Sequence, residues 1–261
     1  MNKTSKIRLI IGIACAAALG NMFLPAIPQD ANYHGFADTG KYFGIPNFWN
    51  VASNLPFLVV GFVGILATRQ GQGGLPQLKT HYLVFFIGVF LTGIGSGYYH
   101  WEPNNETLFW DRLPMTIAFM ALFSIVIGEH MDINASRWLL WPLIMVGIIS
   151  VCYWQWTESI GKGDLRLYGL VQFLPMLIIP LTLVLLPSRF SSVRYLWWVI
   201  IAYGISKLLE YFDHELFRLL GFIGGHPLKH IAAALGAYAF CVALTHRTLA
   251  EPVDDAVPLR Q

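Results

Sequence analysis

The sequence predicts an all-α membrane protein: a seven-transmembrane-helix bundle preceded by an extra N-terminal hydrophobic helix or a signal peptide. Three observations carry this. Of 261 residues, 56% are hydrophobic and only 12% are charged, about half the roughly 25% charge of an ordinary soluble domain. Mean hydropathy is +0.55. The apolar residues also come in long blocks, and a helix needs about 20 such residues to cross a bilayer. Alternation with a period of two, the mark of a membrane β-barrel, is lacking. A soluble nucleotide-binding or barrel enzyme and a disordered tail protein are both excluded.

Eight apolar blocks follow one another at 7–27, 47–67, 81–101, 111–131, 138–156, 167–186, 195–213 and 226–246. Trp and Tyr gather at block ends, as at Tyr99, Trp101, Trp138, Trp141, Trp154 and Trp156, where amphipathic rings suit the membrane interface. The first block reads two ways. Lys3, Lys6 and Arg8 precede a short apolar core and small residues, as in a cleaved signal peptide. Apolar character resumes at Met22, Phe23 and Leu24, which suits an uncleaved signal anchor. The chain thus divides into an anchor or signal at 1–27, an outer loop at 28–46, a seven-span domain at 47–246 and a short tail at 247–261.

Orientation follows from the Lys/Arg bias. With the N-terminus inside, the inner segments hold ten: Lys3, Lys6, Arg8, Arg69, Lys79, Arg137, Arg189, Arg194, Arg247 and Arg260. The outer segments hold five: Lys41, Arg112, Lys162, Arg166 and Arg218. Both termini are expected inside, with loops 28–46, 102–110, 157–166 and 214–225 outside. Net charge is only +2 and no basic run is present, so no nucleic-acid partner is expected. Phosphate-binding glycine motifs are missing. Cys15, Cys152 and Cys241 lie in apolar stretches without metal-site or disulfide spacing and are expected to be small buried hydrophobes.

Polar groups near span ends need a reason, because charge in the bilayer is costly. Ser96 and His100 stand at i,i+4 near the end of the third block. Asp111 opens the fourth. His226 and His230 stand at i,i+4 at the start of the eighth. Each i,i+4 pair shares one helix face. The third span ends on the side where the fourth and eighth begin, so His100, Asp111, His226 and His230 share one membrane depth. Three neutral imidazoles with an open position make a catalytic zinc site, and a carboxylate and a hydroxyl beside it can hydrogen-bond a reacting water or carbonyl. Taken singly, Asp111 suits a helix cap, Ser96 a close helix contact, and the histidines packing.

These motifs resemble the alkaline ceramidases. The shared pieces are Ser96-x3-His100, then Asp111, then His226-x3-His230. The segment WDRLPM at 110–115 is similar to the ceramidase D-E-L-P-M, and NFWNVASNLPF at 47–57 is similar to E-F-W-N-x-x-S-N. The likeness covers about 47–246. The superfamily also includes adiponectin and progestin receptors and GPI-anchor-remodelling lipid hydrolases. The resemblance implies a ceramidase-like domain at 47–246 with zinc on His100, His226 and His230. Ser96 and Asp111 would then act in catalysis, with a zinc-activated water cleaving the amide of a long-chain N-acyl lipid. Asp111 would move the proton, and Ser96 would hydrogen-bond the oxyanion or the water.

Two departures stand out. Arg112 replaces the Glu of D-E-L-P-M. Of the acidic calcium site before the first core span, only Asp38 and Asn47 remain, so Ca2+ is not carried over with Zn2+ and their role is left open.

A Ser96–His100–Asp111 triad is a second chemical option, but leaves His226 and His230 without a task. A receptor of the adiponectin-receptor type, with little or no hydrolysis, is the alternative function. A transporter would call for paired broken helices, which are not seen. Lys207, Glu210, Asp213, His214 and Glu215 form another polar cluster, read as a Lys207–Glu210 pair with interfacial charges or as a headgroup site. Asn50 and Asn54 are expected to bond helix to helix.

Overall fold

The computed structural model describes residues 1–250; the rest of the tail, including Arg260, lies outside the described residues. Among the described residues the chain forms ten α-helices. They are α1 Lys3–Met22, α2 Phe48–Ala52, α3 Leu55–Arg69, α4 Lys79–Trp101, α5 Asn105–Val126, α6 Ile133–Ser159, α7 Arg166–Leu185, α8 Arg194–Tyr211, α9 Asp213–Leu220 and α10 Gly225–His246.

Seven spans are long and apolar enough to cross a membrane: α1, Phe48–Arg69, Pro76–Trp101, Asn105–Met131, Ile133–Ser159, Arg166–Leu185 and Gly225–His246. The protein is an integral membrane bundle. The 18-residue α8, about 27 Å long, is the seventh expected block, 195–213, and is not among these seven. It carries Arg194, Lys207 and Glu210, which lower its apolar character. It packs chiefly on α10. Most of α1 is exposed, and it rests on α7.

Several boundaries differ from the expected ones for local reasons. The second block is broken by a turn at Ser53 and Asn54 into α2 and α3. The fourth begins six residues earlier than its hydropathy suggested, because the polar stretch before Asp111 is already helical. Asn104 caps α5: its Oδ1 accepts from the backbone N–H groups of Glu106 and Thr107, both at 2.9 Å, and Thr107 Oγ1 accepts from Asn104 N at 3.2 Å. This is a reciprocal capping box. Asp111 is therefore not a cap, but lies almost two turns inside the helix.

Helices α4 and α5 approach closely. A Cβ on Gly95 would fall 2.0 Å from the carbonyl oxygen of Trp110, so only glycine allows this contact, as small residues do between membrane helices. The start of α10 is pressed against α8 in the same way. A Cβ on Gly225 would lie 2.0 Å from the carbonyl of Leu209. The first contact holds the start of α5 on the end of α4, and the second fixes the start of α10 on α8.

At the opposite end of the bundle, α5 runs into a π-helical turn, Ile127–Met131. Glu129 in that turn accepts both arms of Arg247, each at 2.8 Å, and the Tyr82 hydroxyl at 2.9 Å. Both charged side chains have no exposure. This buried bidentate pair joins the end of α5 to the segment after α10.

A candidate metal centre at the head of an apolar cavity

His100 on the last turn of α4 and His226 and His230 on the first turns of α10 converge. Their candidate ligand atoms all lie within 4.8 Å of one another. All three side chains are buried. The ring centroids are 4.9 Å apart for His100–His226 and for His100–His230, and 5.0 Å for His226–His230.

The donor set fits a zinc ion, which favours imidazole nitrogens. Nδ1 of His100 and Nε2 of His226 are buried with no hydrogen-bond partner, a costly state for a polar atom with nothing to bind. The third ring is oriented. Ser53 Oγ donates to the Asn50 carbonyl at 3.2 Å and so receives Nδ1–H of His230 at 2.8 Å. That network puts the proton on Nδ1 and leaves the lone pair of Nε2 free, the usual way a partner fixes the ligating nitrogen.

Asp111 and Ser96 line the same cavity as His230. They face each other across the tight α4–α5 contact at Gly95. Among the described residues no hydrogen bond joins Ser96 to His100, and the His100 ring lies against the other two histidines instead. The triad option lacks its defining contact.

Loop 28–46 covers the site. Phe36 sets its ring on His226 at 4.4 Å and on His100 at 4.7 Å. His34 bonds Tyr99 Oη at 2.9 Å and Asn105 Oδ1 at 3.0 Å. Asp213 joins loop to helix: its Oδ2 accepts from Ala37 N at 2.9 Å and its Oδ1 from His226 N at 2.8 Å. Asp213 thus departs from the expected polar cluster and holds the start of α10.

The rest of that cluster is a different trio. Glu210 binds Lys207 at 2.6 Å, as the i,i+3 spacing predicts, and also binds Lys229 of α10. All three line the cavity. His214 and Glu215 are exposed, and Glu215 pairs with Arg218 at 3.0 Å. Asn50 and Asn54 do not bond helix to helix as expected. Asn50 Nδ2 donates to the Asp38 carbonyl at 2.8 Å, and Asn54 Nδ2 to the Asn50 carbonyl at 2.8 Å. The break after α2 leaves a free carbonyl for Asn54, and the loop supplies one for Asn50.

Asp38 is 2% exposed. Its Oδ1 accepts from Gly40 N at 2.9 Å while Oδ2 has no partner. Burial pushes its carboxyl above the usual carboxylate range. Asn47 donates its amide to the His100 carbonyl at 2.9 Å, which ties it to the end of α4.

The cavity is about 390 Å³, within the range of ligand sites. Its site end carries Ser96, Asp111 and His230. Its far wall is apolar, with Phe119, Leu122, Met176 and Ala237.

A family model described as Ceramidase matches residues 42–256. The chain belongs to the ceramidase family. No curated protein sequence matches it. Ceramidase membership makes this an enzyme of lipid metabolism in the membrane, a hydrolase of ceramide-type amides.

Proposed function

We propose that this ceramidase-family protein is a zinc-dependent amidase that cleaves the amide of an N-acyl lipid. The observation that carries the reading is the convergence of three buried imidazoles beside a carboxylate and a hydroxyl, at the head of an apolar cavity. His100, His226 and His230 would hold the ion. When bound, zinc supplies a Lewis acid that makes water acidic enough to deprotonate near neutral pH.

The chain's own residues do the rest. The apolar wall takes the acyl chain and excludes water. Ser96 Oγ–H donates to the amide carbonyl oxygen as negative charge grows there. Asp111 accepts a proton from the attacking water and delivers it to the amide nitrogen as the C–N bond breaks. The products are a fatty acid and a free amine. Ser53 and Phe36 hold the imidazoles in place. We place the site on the non-cytoplasmic side, on the strength of the Lys/Arg bias.

The test is Asp111→Asn. Turnover of an N-acyl sphingoid base, followed by mass spectrometry of the released fatty acid, should fall about 10²- to 10⁴-fold with zinc content unchanged. Undiminished turnover would overturn Asp111 as the proton carrier. Loss of zinc together with activity would make it a ligand or a structural group.

A further inference from the structure

The cavity wall holds a cation that no carboxylate among the described residues meets at ion-pair distance. Arg112 follows Asp111 on α5 and is 4% exposed. Its guanidinium is stacked among aromatic rings, with its central carbon 4.2 Å from the Trp154 centroid, 4.6 Å from Tyr168 and 5.4 Å from Tyr33. Nη2 donates to Gln29 Oε1 at 2.7 Å. Nε and Nη1 are buried with no partner, so three of the five N–H donors of a guanidinium have no acceptor. Among the described residues no carboxylate pairs with it. The two cavity lysines, Lys207 and Lys229, share Glu210.

A buried charge is stable only when paired and hydrogen-bonded. The aromatic faces hold the guanidinium but accept none of its N–H groups. Arg112 lines the same cavity as Asp111 and Ser96 and is the chain neighbour of Asp111. Its partner therefore sits close to the reacting amide, away from the apolar wall that takes the acyl chain. The geometry points to a substrate whose amine half carries an anion, bound by Arg112. The class is an N-acyl lipid with a carboxylate or phosphate on the amine side, and Arg112 is its specificity-determining residue. This inference rests on the amidase reading above.

Two matched substrate pairs test it on the purified full-length protein in detergent micelles. N-palmitoylserine and N-palmitoylserinol differ only in a carboxylate replaced by a hydroxymethyl group. Ceramide 1-phosphate and ceramide differ only in the phosphate. The readout is the ratio of kcat/KM within each pair, from released fatty acid. The anionic member of one pair should be preferred about 10- to 100-fold, the worth of charge-assisted hydrogen bonds in a dry site. The preferred pair tells carboxylate from phosphate. Arg112→Gln should bring that ratio close to one, and Arg112→Lys should keep part of it. Wild-type ratios at or below one in both pairs would overturn the inference, and they decide even if Arg112→Gln does not fold. Equal losses on both members of a pair in Arg112→Gln would also overturn it, leaving Arg112 as a clamp on α6 and α7. Hydrolysis of the neutral members alone sinks this inference and leaves the amidase standing. Hydrolysis of none of the four sinks both.

Discussion

Replacing Ser53 by alanine removes one oxygen from the site and should weaken metal binding without touching a ligand. Ser53 Oγ lies 2.8 Å from Nδ1 of His230 and is itself fixed on the Asn50 carbonyl. Ser53 and His230 are both buried. In Ser53→Ala the Nδ1–H is left in an apolar setting with no acceptor, at a cost of about 1–3 kcal/mol. The ring escapes that cost only by moving the proton to Nε2, which removes the lone pair a metal needs. Loss of such a partner typically lowers metal affinity about 10- to 100-fold, or about 1.4–2.7 kcal/mol. The assay is competition for zinc between the purified protein and a chelator of known affinity. Ser53→Thr keeps the hydroxyl and should bind zinc nearly as tightly as wild type. Unchanged affinity in Ser53→Ala would refute the reasoning, because His230 would then be oriented by something else.

Three further predictions follow from the packing. Arg247→Met strands the buried Glu129 carboxylate and should destabilise the bundle by about 3–5 kcal/mol, whereas Arg247→Met with Glu129→Leu should recover much of it; unfolding in detergent measures both. Gly95→Ala puts a methyl group 2.0 Å from the Trp110 carbonyl and must push α5 from α4, separating Asp111 from Ser96. A displacement near 1 Å can cost about 10²-fold in rate, so turnover should collapse while zinc content, which depends on α4 and α10, is kept. Asp164 is held at about 2 by the Arg166 guanidinium and backbone, below the roughly 3.9 of an unfolded chain. Its folded pKa is depressed, so its contribution is whole above about pH 4 and is lost as pH falls towards 2. The acid-induced drop in thermal stability should be smaller in Asp164→Asn than in wild type.

The histidines are legible in the sequence because their signal is local and topological. Two i,i+4 spacings and a count of span directions were enough to put His100, Asp111, His226 and His230 at one depth. The residues that organise them were not legible, because their contacts are made across the fold. Phe36 comes from a loop with no periodicity, and it reaches His226 only after Asp213 has tied that loop to α10. Ser53 sits in a helix break that hydropathy averages away, 177 residues from His230. Glu129 and Arg247 are 118 residues apart and meet where the π-helical turn closes the end of α5. Lys229 meets Glu210 across the fold, 19 residues away on α10, so Glu210 is shared between it and Lys207. The start of α5 was readable in principle: Asn104 followed three residues later by Thr107 is a capping signal, hidden because the helix opens with polar residues.

Zinc content and amide hydrolysis, measured together on wild type and on His226→Ala/His230→Ala, test the central claim most directly. The account predicts about one zinc per wild-type chain, release of fatty acid from an N-acyl lipid, and loss of both in the variant. Folded wild-type protein that takes up no zinc when it is added back, or that hydrolyses the amide equally well without it, would contradict the claim.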